Sequence, residues 1–162
     1  QETISKWKEI KLSKRELKIH MVGKLQSNKA KKALEIFDYI HSLDSIKLAK
    51  KISEEQNKIK RNLNIFIQIN IGNENQKSGI KIEELKEFYN TCTEKYKLKI
   101  IGLMCLPPLE IDPTVYFKKM YKASKDLSLK EFSMGMSADH LKALEFKASF
   151  VRIGSKIFGS RN

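Results

Sequence analysis

Short apolar runs alternate with charged stretches along the chain. Six runs have the length and the Ile, Val and Phe content of buried strands: IHMV (19–22), YIHS (39–42), NIFIQIN (64–70), IIGLM (100–104), EFSMG (131–135) and FVRIG (150–154). Between them the apolar residues recur in steps of three and four. Ile82, Leu85, Phe88, Cys92 and Tyr96 fall on one helical face; so do Ile46, Ala49, Ile52 and Ile59 in segment 44–61, and Phe117, Met120, Ser124 and Leu127 in segment 114–128. Two further helices are expected over 29–35 and 138–147. Strand followed by helix, repeated, predicts parallel strands joined by helical crossovers: a (β/α) barrel or an open doubly wound sheet.

At 162 residues the chain is about one domain, and no low-complexity tract or repeat divides it. Pro107-Pro108 reads as a loop after the fourth strand. Aliphatic and aromatic residues at 41% and charged residues at 31% describe a folded globular protein. No apolar run reaches the roughly 18 residues of a membrane span, and QETISKWKEI lacks a signal-peptide core, so a cytoplasmic location without membrane partners is expected. Cys92 and Cys105 form no CxxC and are expected to be reduced and inert.

The net charge of +13 points toward polyanions, but its composition argues against sequence reading. Only four of the 32 basic residues are arginine, and the lysines spread over every predicted helix. Specific nucleic-acid readers concentrate arginine and aromatic residues on one strip. A basic nucleic-acid-binding module therefore stands as the weakest functional alternative. The nucleotide signatures fare no better: no GxGxxG opens a helix, and GNENQKSG (72–79) lacks the glycine that a Walker loop places before its lysine. His20, His41 and His140 have no metal-ligand spacing, so no metal is expected, and surface or capping roles are assigned to them.

Chemistry concentrates in two late segments, SMGMSADH (133–140) and VRIGSKIFGSR (151–161). Each is a strand running through Gly or Ser into a helical pattern, where backbone N–H groups and hydroxyls favour a dianionic phosphate. In (β/α)8 barrels the last two strand–loop units form such sites. Ser137 equally suits an N-cap for helix 138–147, with Asp139 aiding the dipole. The cluster Gln26, Ser27 and Asn28 in HMVGKLQSNK (20–29) also exceeds what a turn needs, although Asn28 could serve as a cap for helix 29–35.

HMVGKLQSNK, QINIGNENQKSG, IIGLMCLPP, SMGMSADH and VRIGSKIFGSR, in this order and spacing, resemble the successive motifs of the pyridoxal phosphate homeostasis family (YggS/PROSC). The resemblance implies a single-domain (β/α)8 TIM-like barrel of fold-type III, similar to the N-terminal domain of alanine racemase, holding pyridoxal 5′-phosphate (PLP). It implies a cofactor site of Ser137, Gly154 and Ser155 around the phosphate, Arg152 beside the pyridine nitrogen, Met136 as a further cofactor-binding residue, and Asn28 at the barrel mouth. It further implies a homeostasis or carrier role without robust catalysis, no catalytic residues, a monomer, and apo PLP enzymes as partners. An amino-acid racemase-like enzyme is the alternative, weakened because such enzymes carry a C-terminal domain bearing a catalytic tyrosine.

The resemblance departs at the front. Family members begin with a strand bearing the Schiff-base lysine and a second strand followed by GEN, and neither motif occurs here. QETISKW resembles the helix after GEN. The expectation is one partial barrel domain over 1–162, with about six of eight strand–helix units and without the PLP lysine.

Overall fold

The computed structural model describes Trp7, residues 16–108 and residues 111–159. QETISK, compared above with the helix after GEN, and Ser160–Arg161 of the last motif lie outside the described residues.

All six expected strands form: β1 (His20–Met21), β2 (Tyr39–Leu43), β3 (Asn64–Ile69), β4 (Ile100–Cys105), β5 (Glu131–Met136) and β6 (Phe150–Arg152). They make one sheet in sequence order, and every pairing is parallel. Parallel neighbours cannot be joined by tight turns, and the crossovers are helices that cover the outer face. These are α1 (Ala30–Ile36), α2 (Ile46–Ile59), α3 (Leu85–Asn90), α4 (Pro113–Lys125), α5 (His140–Glu145) and the short α6 (Ser155–Phe158). A 3-10 turn precedes α1 (Ser27–Lys29) and another precedes α3 (Ile82–Glu84), while a π turn (Thr91–Lys95) extends α3.

Ile65, Ile67, Leu103 and Phe132 from the sheet and Leu34, Ala49, Ile52, Cys92, Phe117 and Met120 from the helices are buried together in one core. Burying each larger aliphatic or aromatic side chain contributes about 1.5–3 kcal/mol. Ile46 is the exception to the expected α2 face. It is 40% exposed, because the helix starts there, after Ser45, whose hydroxyl accepts from the Leu48 N–H. The expected helix bounds 44–61 and 114–128 shorten accordingly. Lys60 (φ 52°) ends α2 in the left-handed region, and Asp112 with Pro113 starts α4.

Polar ties fix the crossovers. Arg61 donates to the Leu34 and Phe37 carbonyls and pairs with Asp38 at 2.9 Å, while Asp38 accepts the Ile19 N–H, binding the end of α1 to the starts of β1 and β2.

The sheet is curled into a half-barrel. Phe150 on β6 lies 5.4–5.6 Å, centroid to centroid, from His20 on β1, Tyr39 and His41 on β2 and Phe66 on β3. A flat six-strand sheet with neighbours about 4.8 Å apart would hold β1 and β6 more than 20 Å apart. These rings form a layer across the concave interior. Among the described residues the six strands thus form one curled sheet of (β/α) barrel type, and no helix is long and apolar enough to cross a membrane.

Candidate functional site

Because every strand is parallel, all C-terminal strand ends share one rim, the end at which α/β barrels carry their chemistry. The rim of β5 and β6 is the most elaborate. Residues alternate between faces along a strand, so Arg152 points inward one step beyond Phe150 and sits over the ring layer.

Arg152 is held by three hydrogen bonds. Its Nη1 donates to the Ser133 carbonyl at 3.0 Å and to Ser133 Oγ at 2.7 Å, and its Nη2 donates to the Cys105 carbonyl at 2.8 Å. The guanidinium thus bridges β4, β5 and β6. Its Nε is buried and has no hydrogen-bond partner among the described residues. Burial lowers the pKa of the group, but an arginine remains charged. A charged donor aimed into a semi-enclosed interior is unsatisfied there unless an acceptor is brought to it.

Next to Arg152, Ser137 and the β6–α6 turn converge: the Gly154 N–H donates to Ser137 Oγ at 3.2 Å. Ser155 follows as the first residue of α6, and nothing lies within 4 Å of where a Gly154 Cβ would stand. Met136 pairs in register with Arg152 across β5 and β6. Five of the six sequence-predicted residues, Met136, Ser137, Arg152, Gly154 and Ser155, are therefore brought to one rim. The alternative reading of Ser137, as the N-cap of helix 138–147, does not hold. Helix α5 spans His140–Glu145 with Asp139 in the cap position, and the Asp139 carboxylate turns back to accept the Met136 N–H at 2.6 Å. This shortens the helix and leaves the Ser137 hydroxyl for Gly154. Gly135 permits the turn: its φ is +92°, and a Cβ there would stand 2.6 Å from Ala143 Cβ on α5.

Asn28 is exposed on the 3-10 turn before α1. Nor is it a cap: the cap positions are Gln26 for the turn and Lys29 for α1, and neither carries a side-chain cap bond. The β3 loop is ordered by Asn70, which bonds the backbone of Glu74 and Lys77, and by Lys77, which pairs with Glu74 and donates to the Leu106 and Pro107 carbonyls.

The surface or capping role expected of the histidines fails for His41. It is 2% exposed, inside the half-barrel, and hydrogen-bonded to His20: His20 Nδ1 and His41 Nε2 are 2.9 Å apart. Burial first, then His20 and the Arg152 charge, hold its pKa down to about 3; burial also lowers that of His20, against the opposing pull of Asp38. Both rings are neutral near pH 7. The missed signal was the phase of YIHSL, where His41 shares a strand face with Tyr39 and Leu43. Ser133 was missed as well, being an ordinary small residue in a strand. Cys92 and Cys105 are buried, and burial pushes both thiols up to about 12, consistent with inert packing roles. No cluster of three or more metal-ligating side chains occurs among the described residues.

The family model of the alanine racemase N-terminal domain matches residues 3–162. A pyridoxal phosphate homeostasis protein of Aquifex aeolicus is 36% identical over 155 residues, covering 90% of this chain and 68% of the relative. Another, from Synechocystis, is 39% identical over 154 residues, covering 88% and 69%. The chain thus spans about two thirds of the length of these relatives. Among solved structures, PipY of Synechococcus elongatus superposes without PLP at TM-score 0.85 and 29% identity (96% of this chain, 79% of that one), and with PLP bound at 0.83 and 28% (96% and 78%). An alanine racemase of Clostridium difficile shares the fold at TM-score 0.71 and 13% identity, over 94% of this chain and 42% of that one.

Proposed function

Because the chain belongs to the pyridoxal phosphate homeostasis family, built on the alanine racemase N-terminal fold, we propose that the β5–β6 rim binds pyridoxal 5′-phosphate in a holding or carrier role. The observation that carries this reading is the buried, unpartnered Nε of Arg152 beside the Ser137–Gly154 turn. A donor without an acceptor at the base of the site and hydroxyls with open space at its lip suit a planar molecule with a ring acceptor at one end and a phosphate at the other.

In this reading Ser137 and Ser155 hydroxyls and the Ser155 and Lys156 N–H groups at the start of α6 hold the phosphate, and the missing Cβ of Gly154 leaves room for it. Arg152 Nε–H donates to the pyridine nitrogen. Ser133 and the Cys105 carbonyl hold the guanidinium in place through its other nitrogens. Met136 and Asn28 border the opening. PLP, when bound, supplies an aldehyde and an electron-withdrawing ring. A permanently charged arginine keeps the pyridine nitrogen unprotonated, which weakens that withdrawal and favours storage over turnover. Apo PLP enzymes are the partners this role calls for.

Equilibrium titration with PLP, followed by intrinsic fluorescence, tests the proposal. Binding should saturate, be competed by inorganic phosphate, and weaken about tenfold or more in Ser155→Asp, where a carboxylate meets a dianion. Unchanged affinity in Ser155→Asp, or no competition by phosphate, would contradict it.

A further inference from the structure

Beneath Arg152, the His20–His41 pair has a geometry that simple packing does not require. Each ring is clamped face to face on an aromatic neighbour: His20 on Tyr39 (centroids 4.1 Å, planes within 3°) and His41 on Phe66 (4.4 Å, 14°). The two clamps hold His20 Nδ1 and His41 Nε2 at hydrogen-bond distance, 2.9 Å. Two neutral imidazoles in such a pair share one proton, so their tautomers are coupled. If His20 donates from Nδ1, His41 carries its own proton on Nδ1; if His41 donates from Nε2, its Nδ1 is a bare acceptor.

The ends of the pair differ. His41 Nδ1 is buried and has no partner among the described residues, on a side chain 2% exposed. His20 is half-buried on β1, which pairs with β2 alone among the described strands. The charged groups facing the pair are Asp38 on the His20 side and Arg152 on the His41 side. Arg152 opposes a positive charge on His41, and so favours transfer that never creates an imidazolium.

We infer that His20 and His41 form a proton relay between the β1 edge and the interior of the half-barrel, serving a bound molecule with a phenolic oxygen or an amine. In one passage, His41 Nδ1–H gives its proton to that group and His41 Nε2 takes the proton of His20 Nδ1–H. His20 Nε2 then takes one from water. Each ring loses one proton and gains one, and the pair ends neutral with both tautomers exchanged. The inference deepens the cofactor-site reading, since PLP carries a phenolic oxygen, and it makes His41 the residue that passes the proton to the bound group and His20 a positioning residue that acts through it.

Two measurements test it. Long-range 1H–15N spectra of the 15N-histidine-labelled, ligand-free chain should show both rings neutral from pH 7 to 8 with nitrogen shifts averaged between tautomers; in His20→Phe, which keeps a ring on Tyr39, His41 should settle into one tautomer. A single fixed tautomer of His41 in the unaltered chain would overturn the relay, and this readout stands whether or not PLP binds. In the PLP-loaded protein, the absorbance change after a pH jump should be about tenfold slower in His20→Phe and restored in part by His20→Gln. An unchanged rate would overturn it equally.

Discussion

Phe150, on the last strand, and His20, on the first, lie with ring centroids 5.5 Å apart. Four strands separate them in the sheet order, so the contact measures the curl directly. It closes a ring layer over which Arg152, two residues on from Phe150, is suspended. Curvature of the sheet and placement of the candidate site are therefore one feature.

Removing that ring should loosen both. Phe150 meets four rings and is half-buried, so Phe150→Ala should cost about 2–4 kcal/mol, somewhat under the range for fully buried Phe→Ala changes. Urea unfolding should show a lower midpoint with a similar slope, and Phe150→Leu should recover much of the loss.

Arg152 should tolerate no substitution quietly. Arg152→Lys cannot reach Ser133 and the Cys105 carbonyl together, and Arg152→Met leaves the buried Ser133 hydroxyl without its charged partner. Each should destabilise by about 1–3 kcal/mol in urea unfolding and weaken PLP binding more than stability alone accounts for.

Acid should unfold the protein partly through His41. Its folded pKa, about 3, lies below the ordinary 6.5, so between these values the unfolded chain binds a proton that the folded one does not. The contribution is intact above about pH 6.5 and is lost as pH falls toward 3, with a slope near 1.4 kcal/mol per pH unit. His41→Phe, which removes the titration and keeps the stacking ring, should flatten the stability profile in this window relative to the unaltered chain.

Gly135 should resist even alanine. A Cβ there collides with Ala143 at a backbone with φ +92°, so Gly135→Ala should cost about 1–3 kcal/mol and displace the turn that presents Ser137. Thermal unfolding together with PLP titration reads both effects.

The strands were legible because buried parallel strands concentrate β-branched residues, and the six runs match the six strands within one or two residues. Helix ends were less so. Asp139 competes with Ser137 for the cap, and only the bond from Met136 N–H to its carboxylate decides between them. Asn28 matched a cap by type and lies in a 3-10 turn without a side-chain cap. The polar interior was least legible: His41 is brought under Arg152 by sheet curvature and Ser133 by the pairing of β5 with β6, and no local pattern encodes either. The family motifs supplied Arg152, Ser137, Gly154 and Ser155 as a set, and the fold gathers them at one rim.

The protonation state of the cofactor's ring nitrogen reports on the Arg152 Nε–H contact itself. The chain loaded with PLP labelled with 15N in the ring should give a pyridine nitrogen resonance in the unprotonated range across pH 6–8, because Arg152 Nε–H occupies its lone pair. The signal should return toward that of free PLP in Arg152→Met. A bound nitrogen in the pyridinium range, or a resonance indifferent to Arg152, would rule out Arg152 as its hydrogen-bond donor.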